Sequence, residues 1–282
     1  MDAENYANSL LPEQSQWENL TIADDFMFGK VFQDENLCLE LVRLILPELN
    51  IERIAMHELQ MPLHHTMDTR GVRFDVYLRD DKGRIINIEM QVAKQGSLPR
   101  RTRAYHSIID LDAMDRSTVG RYDAMPEVIV IFICEFDPFN LGRHVYTFKN
   151  ICMEERDLVM DDGATTIFLN TKGKDNVVSP RLKAFLEFVE GQGCEDDDFV
   201  KRLEERLAYA KQDRFLRQEY LLTRFDRNER LEEGRKEGRK EGLKEGRQEG
   251  QATIVRHMRN TGMTNEQISA TTGLSLEEVS KL

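Results

Sequence analysis

The chain has no run of 18 apolar residues, so no segment is long and apolar enough to cross a bilayer as a helix. It has only four cysteines, Cys38, Cys134, Cys152 and Cys194, with no Cys-x-x-Cys pair among them. That scatter argues against a structural zinc site, and three of the four lie in apolar surroundings, as reduced, buried thiols do. The opening MDAENYANSL is acidic and lacks the basic-then-apolar order of a secretory signal. These absences together point to the cytoplasm. Positive charge is also in short supply: 39 Lys and Arg face 51 Asp and Glu, for a net charge of −12. Such a chain has no general attraction for nucleic acid, so contact with DNA must use a local basic patch.

What is present is a hairpin pattern, VRFDVYLRDDKGRIINIEMQ, from Val72 to Gln91. Alternation predicts a first strand with Val72, Phe74, Val76 and Leu78 on one face and Arg73, Asp75 and Tyr77 on the other. Asp80-Asp81-Lys82-Gly83 is a turn signal, and the aliphatic run after it carries Glu89 and Gln91 on a single face. Pairing the strands brings Asp75 near both. On an ordinary hairpin two such carboxylates would lie on a solvated face. Here Ile85, Ile86 and Ile88 mark the second strand as buried, where an unpaired carboxylate is costly. Two carboxylates and an amide converging on one sheet face suit a hard divalent cation, which leaves positions for water and phosphate.

Asp75, followed fourteen positions later by Glu89-Met90-Gln91, resembles the PD-(D/E)xK nuclease signature. The form with Gln in place of Lys is similar to the transposase-associated, recombination-promoting nuclease family of bacteria. The string Asp-Phe-x-Phe-x-Lys-x-Phe at 25–32 and the Asn170-Thr171-x-Gly173 turn add to the likeness, which covers roughly residues 20–190. The resemblance implies an α/β, restriction-endonuclease-like core with a central mixed sheet flanked by helices, followed by an α-helical C-terminal extension. It implies a metal-dependent DNA endonuclease linked to recombination or mobile elements, using Mg²⁺ or Mn²⁺. Asp75 and Glu89 would be the metal ligands, and Asp75, Glu89 and Gln91 the catalytic residues. Gln91 carries no charge, so it can orient water or a metal ligand but cannot supply the cation that the motif Lys provides. Arg101 or Arg103 is a candidate source of that charge.

The stretch SLPRRTRAYHSIIDLDAMDR reads as a helix from about Leu98, with Pro99 in its first turn. It concentrates Arg100, Arg101, Arg103 and His106, and places Arg101 and Tyr105 on one face. The family has an Arg and a Tyr in this helix, so Arg101, Arg103 and Tyr105 are candidate DNA-phosphate contacts. Salt bridging of the arginines to Asp110 and Asp112 is the equal alternative. Glu40 reads as part of a solvated helix face, with a supporting metal ligand as the lesser reading. His64-His65 has no matching His or Cys at ligand spacing.

Four segments follow from composition: a flexible lead-in over 1–19, the nuclease-like domain over 20–193, a charged helix and Gly-repeat spacer over 194–250, and a small helix-turn-helix-like module over 251–282. Within the third, Phe199 to Leu231 reads as one long charged helix. Gly234, Gly238, Gly242, Gly246 and Gly250 then recur every four residues, each preceded by Glu. At about 1 kcal/mol per helical Gly relative to Ala, this repeat reads as a semi-flexible spacer. In the terminal module, Thr264 and Ser275 are helix-cap candidates and Gly273 a breaker. Its last helix carries Glu277 and Glu278 against Lys281, so packing or homo-oligomerisation through the C-terminal helices is favoured over base reading. The rival to a nuclease is a non-catalytic scaffold that binds DNA or protein.

Overall fold

A computed structural model describes residues 17–63, 72–94, 96–114, 121–174, 178–194 and 196–282. His64-His65 and the lead-in up to residue 16 lie outside these. The chain divides into two compact units, one reaching to Gln218 and one beginning at Glu219.

The first unit is built on six strands: β1 (Ile54–Leu63), β2 (Val72–Asp80), β3 (Ile85–Gln91), β4 (Val128–Cys134), β5 (Val145–Phe148) and β6 (Ala164–Asn170). Their order is β1-β2-β3-β4-β6-β5. β1, β2 and β3 pair antiparallel, β3, β4 and β6 pair parallel, and β5 returns antiparallel on β6. The sheet is therefore mixed, and β3 is the strand at which its direction changes character. The turn before β3 is held by Asp80, whose carboxylate accepts the Lys82 and Arg84 amides and the Arg84 Nε at 2.6 Å. Gly83 supplies the positive φ of 83° that this turn needs.

Helices cover both faces. On one lie α1 (Asp25–Val31), α2 (Glu35–Ile45), α4 (Pro180–Val189) and α5 (Asp198–Gln212). Their Phe28, Phe32, Leu41, Phe185 and Phe199 pack with Val76, Leu78, Ile86, Ile88, Ile129 and Ile131 of the sheet. Asp24, Asp34, Ser179 and Asp197 cap these four helices with side-chain oxygens on early amides. On the other face α3 (Leu98–Ala113) lays Leu98, Tyr105, Ile109 and Ala113 over Tyr77, Ile85, Val130, Phe132 and Phe168. β4 is buried along all seven residues, as a central strand covered on both faces must be.

Four expectations change, the last of them in the glycine repeat. Phe74 does not stand with Val76 and Leu78. Its ring packs edge-on to Tyr105 at 4.9 Å and stacks on Tyr77, so the alternation of β2 breaks at Asp75. The boundary at residue 193 cuts through the core, because Phe199, Val200 and Leu203 of α5 are fully buried in it. The helix expected from Phe199 to Leu231 is broken at Asp213, which ends α5 and turns its carboxylate to the Phe215 and Leu216 amides.

The next helix, α6 (Arg214–Asn260), runs unbroken through the glycine repeat rather than forming a semi-flexible spacer, with every residue from Arg224 to Gly250 exposed. Between the glycines stand only Arg, Lys, Glu, Gln and Leu, all strong helix formers, with no proline or β-branched residue to interrupt them. In the second unit, α7 (Asn265–Thr272) and α8 (Leu276–Lys281) each begin with a capping box, Thr264 with Gln267 and Ser275 with Glu278. Gly273 ends α7 at a φ of 73°. Val255, Ile268 and Val279 form the small core that joins these helices to the end of α6.

Candidate metal and nucleic-acid site

The regular ladder between β2 and β3 runs from Arg79–Ile85 to Val76–Ile88. Beyond it, side chains take over the hydrogen bonding. The Asp75 amide donates to Glu89 Oε1 at 3.3 Å, and the Met90 amide donates to Asp75 Oδ2 at 3.0 Å. The two expected carboxylates thus meet at the point where the hairpin stops pairing through its backbone. Glu89 is 1 % exposed, at register with Phe132 of the central strand, and Asp75 is half-buried.

Every oxygen of Glu89 has donors. Oε1 also accepts Asn87 Nδ2 at 3.2 Å, while Oε2 accepts Arg101 Nη2 at 3.0 Å and the Tyr105 hydroxyl at 3.3 Å. The Arg101 guanidinium reaches further. Its Nη1 donates to Gln91 Oε1 at 2.8 Å and its Nε to the Tyr105 hydroxyl at 2.7 Å. It lies 5.0 Å from the Tyr105 ring centre and 5.5 Å from that of Phe132. The Arg101 side chain is 35 % exposed, so it forms the wet mouth of an otherwise buried constellation.

Burial, and then the charge of Asp75, push the Glu89 carboxyl up to about 8, against the pull of Arg101 and the hydrogen bonds from Asn87 and Asp75. Burial and Glu89 likewise push the Tyr105 phenol well above its ordinary value, so it stays protonated and can only donate to Glu89. The Glu89 shift sets a sign for stability. A folded pKa near 8 against an ordinary 4.5 means that the native state keeps a proton which the unfolded chain has released. Stability from this group is complete below the ordinary value and is lost as pH rises through about 8. The metal-free protein is therefore expected to lose several degrees of Tm between pH 5 and pH 8.5. Glu89→Gln should flatten that part of the profile, and parallel profiles for the two proteins in a thermal melt series would refute the assignment.

The site residues expected from sequence separate here. Asp75, Glu89, Gln91, Arg101 and Tyr105 come together. Arg103 does not join them: it is exposed, and its carbonyl accepts the Ser107 hydroxyl. Arg100 and Arg103 make no ion pair among the described residues, to Asp110, Asp112 or any other acid. Tyr105 is 4 % exposed with its hydroxyl committed to Glu89, which leaves Arg100 and Arg103 as exposed basic groups of α3. Gln91 turns its Nε2 onto the Met90 carbonyl and its Oε1 onto Arg101, rather than toward solvent. His106 is held by Thr166 of β6 at 3.0 Å. Glu40 is no third acid, because Arg181 and Arg202 bind its two oxygens. Cys38 and Cys134, pushed up to about 12 chiefly by burial, are thiols and not nucleophiles.

Residues 23–230 match the family of PD-(D/E)XK nuclease family transposases. The chain belongs to that family. Its six-stranded mixed sheet, flanked by helices and followed by a long C-terminal helix, agrees with the PD-(D/E)XK nuclease fold. No curated protein and no solved structure matches the chain. Among the described residues no cluster of three or more His, Cys, Asp or Glu is placed to hold a metal ion. Asp75 and Glu89 are the two carboxylates that the hairpin brings together. The pair fits a hard divalent cation, since Mg²⁺ is commonly held by one or two carboxylates together with waters and substrate phosphate. The upward push on Glu89 comes first from burial and then from the charge of Asp75, and a cation would offset the second of these.

No helix among the described residues is long and apolar enough to span a membrane. Two site residues had gone unnoticed in the sequence. Asn87 is the single polar side chain in the run Ile85-Ile86-Asn87-Ile88 just ahead of Glu89, and that isolation was its signal. Phe132 lies in a uniformly apolar strand and carried none.

Proposed function

We propose that this chain is a metal-dependent DNA endonuclease acting in recombination or on mobile elements. The observation that carries this reading is the meeting of Asp75 and buried Glu89 at the end of the β2–β3 ladder, with a stacked cation beside them. Asp75 and Glu89 would hold Mg²⁺ or Mn²⁺, which when bound lowers the pKa of a water and offsets charge on the scissile phosphate. Arg101 provides the fixed positive charge that Gln91 lacks, and Gln91 tethers the guanidinium through its Oε1. Exposed Arg100 and Arg103 on the same helix offer a local basic patch for the DNA backbone in an otherwise acidic chain. Four free thiols support a reducing compartment, the cytoplasm.

A non-catalytic scaffold is the second reading, and one observation favours it: Arg101 already occupies the outward oxygen of Glu89. Supercoiled-plasmid nicking with Mg²⁺, Mn²⁺, Ca²⁺ or EDTA separates the two. Nicking with Mg²⁺ or Mn²⁺ that EDTA abolishes is the result expected of the nuclease. No nicking with any ion would favour the scaffold.

The division of labour between Gln91 and Arg101 gives its own prediction. Arg101→Met should slow single-turnover cleavage by about a hundredfold or more, the usual cost of losing a preorganised electrostatic stabiliser. Gln91→Leu should cost less, because it releases the guanidinium without removing it. Gln91→Lys should keep part of the wild-type rate and, combined with Arg101→Met, recover part of what that change loses. A double variant no faster than Arg101→Met would show that the two cations are not interchangeable.

A further inference from the structure

Asn87 has no role in the reading above, yet it is among the most buried polar side chains of the molecule. It is fully buried in the middle of β3, facing Tyr77 of β2 and Val130 of β4, both themselves buried. Its Nδ2 donates to Glu89 Oε1, while its Oδ1 has no hydrogen-bond partner among the described residues. A buried polar atom without a partner is costly, and surroundings this apolar would accept a leucine. The bond to Glu89 is therefore what the amide gains here against the cost of its unpartnered Oδ1.

The geometry around Glu89 gives that bond a role. Its two oxygens are handled from opposite sides. Oε2 is held by Arg101 and Tyr105 at the exposed mouth, and Oε1 by two donors deeper in the hairpin. One of the inner donors, the Asp75 amide, is backbone, so among the described residues Asn87 is the one side chain that fixes Oε1. Glu89 and Asn87 are two residues apart on one strand and so share a face, which aims the amide along the sheet at the carboxylate.

We infer that Asn87 is a positioning residue of this site, which locks the Glu89 carboxylate with Oε1 turned into the sheet and Oε2 presented to the cation. The inference rests on the reading of Asp75 and Glu89 as metal ligands. In its absence the carboxylate can rotate about its terminal bond, and the presented oxygen is no longer preorganised.

The test uses the full chain and two readouts: the rise in Tm on titration with Mn²⁺, and plasmid nicking over the same range. Wild type should show a saturable rise in Tm. Asn87→Leu should keep a metal-free Tm close to that of wild type, since removing the unpartnered Oδ1 offsets the lost donor to Glu89. It should nonetheless need at least tenfold more Mn²⁺ for half of the Tm rise, and should nick more slowly at saturating metal. If the leucine variant fails to fold, Asn87→Ala decides, because it removes the same donor without filling space. A half-point for Mn²⁺ equal to wild type in whichever variant folds overturns the positioning role and leaves the metal reading standing. A wild type whose Tm does not respond to Mn²⁺ overturns the metal reading, and this inference with it.

Discussion

Asp75→Asn and Glu89→Gln should each reduce divalent-dependent nicking by about a thousandfold or more while the protein stays folded. The size follows from what a two-carboxylate site loses when one ligand becomes an amide. Metal-ion stabilisation of a phosphoryl transition state is worth several kcal/mol, and each 1.36 kcal/mol is roughly tenfold in rate. The fold survives because both changes are nearly isosteric. Gln at position 89 can still accept the Arg101 and Tyr105 bonds through its carbonyl oxygen, although its NH₂ then faces the donors of Asp75 and Asn87. Glu89→Gln also removes one of two close acids, so its metal-free Tm should rise relative to wild type above pH 8, where the carboxyl pushed up to about 8 would otherwise be charged. Nicking at the wild-type rate in either variant would strip that residue of its place in the chemistry. Loss of the circular-dichroism signal would instead show that the carboxylate pair holds the hairpin together.

A chain ending at Gly193 is expected not to fold, whereas one ending at Gln218 should fold and keep metal-dependent nicking. The first cut removes α5 and with it Phe199, Val200 and Leu203, all fully buried against α1, α2 and α4. At about 1.5–3 kcal/mol for each buried side chain, the loss is roughly 5–9 kcal/mol, comparable with the whole stability of a typical domain. It also removes the Lys211 carbonyl that accepts Trp17 Nε1 at 2.8 Å, the tie between the start of this unit and its last helix. The second cut falls where the two compact units divide and spares every proposed ligand. Thermal melts and nicking of both shortened chains check the pair. Light scattering adds a third readout: a fall from oligomer to monomer on removal of 219–282 would assign self-association to the C-terminal helices. An unchanged mass with weaker DNA binding would assign them to the substrate. A folded chain ending at Gly193 would mean that α5 is not part of the core.

The hairpin and its acids were legible because their signals are local. Strand alternation, a turn containing Gly83, and two acids at fixed spacing in aliphatic runs need no knowledge of the rest of the chain. The helix from Leu98 was legible for the same reason, and so were the caps Thr264 and Ser275. What was not legible depended on tertiary contact. Phe74 departs from its face because Tyr105, thirty-one residues later, offers a ring to pack on. Gln91 faces Arg101 rather than solvent because α3 crosses the sheet at that height. Around residue 193 the sequence shows a Gly191-Gln192-Gly193 stretch followed by acidic residues. Composition there carries no hint that the next helix turns Phe199 and Leu203 inward. The glycine repeat is helical against its count of Gly, because the uninterrupted helix formers between the glycines outweigh the cost of each one.

The central strand has a consequence for the life of the chain before it is folded. VIVIFIC holds seven consecutive residues with no charge, no proline and no glycine, and each is buried only when both neighbouring strands and the helices are in place. Released from the sheet, such a segment is a ready template for cross-β stacking with copies of itself. Its borders carry the countermeasures: Pro126 and Glu127 before it, Glu135 and then Asp137-Pro138 after it, residues that interrupt intermolecular strand growth at either end. Because its parallel partner β6 is synthesised some thirty residues later, the ribosome releases this strand unpaired on one side. Those gatekeepers must hold it soluble until β6 arrives.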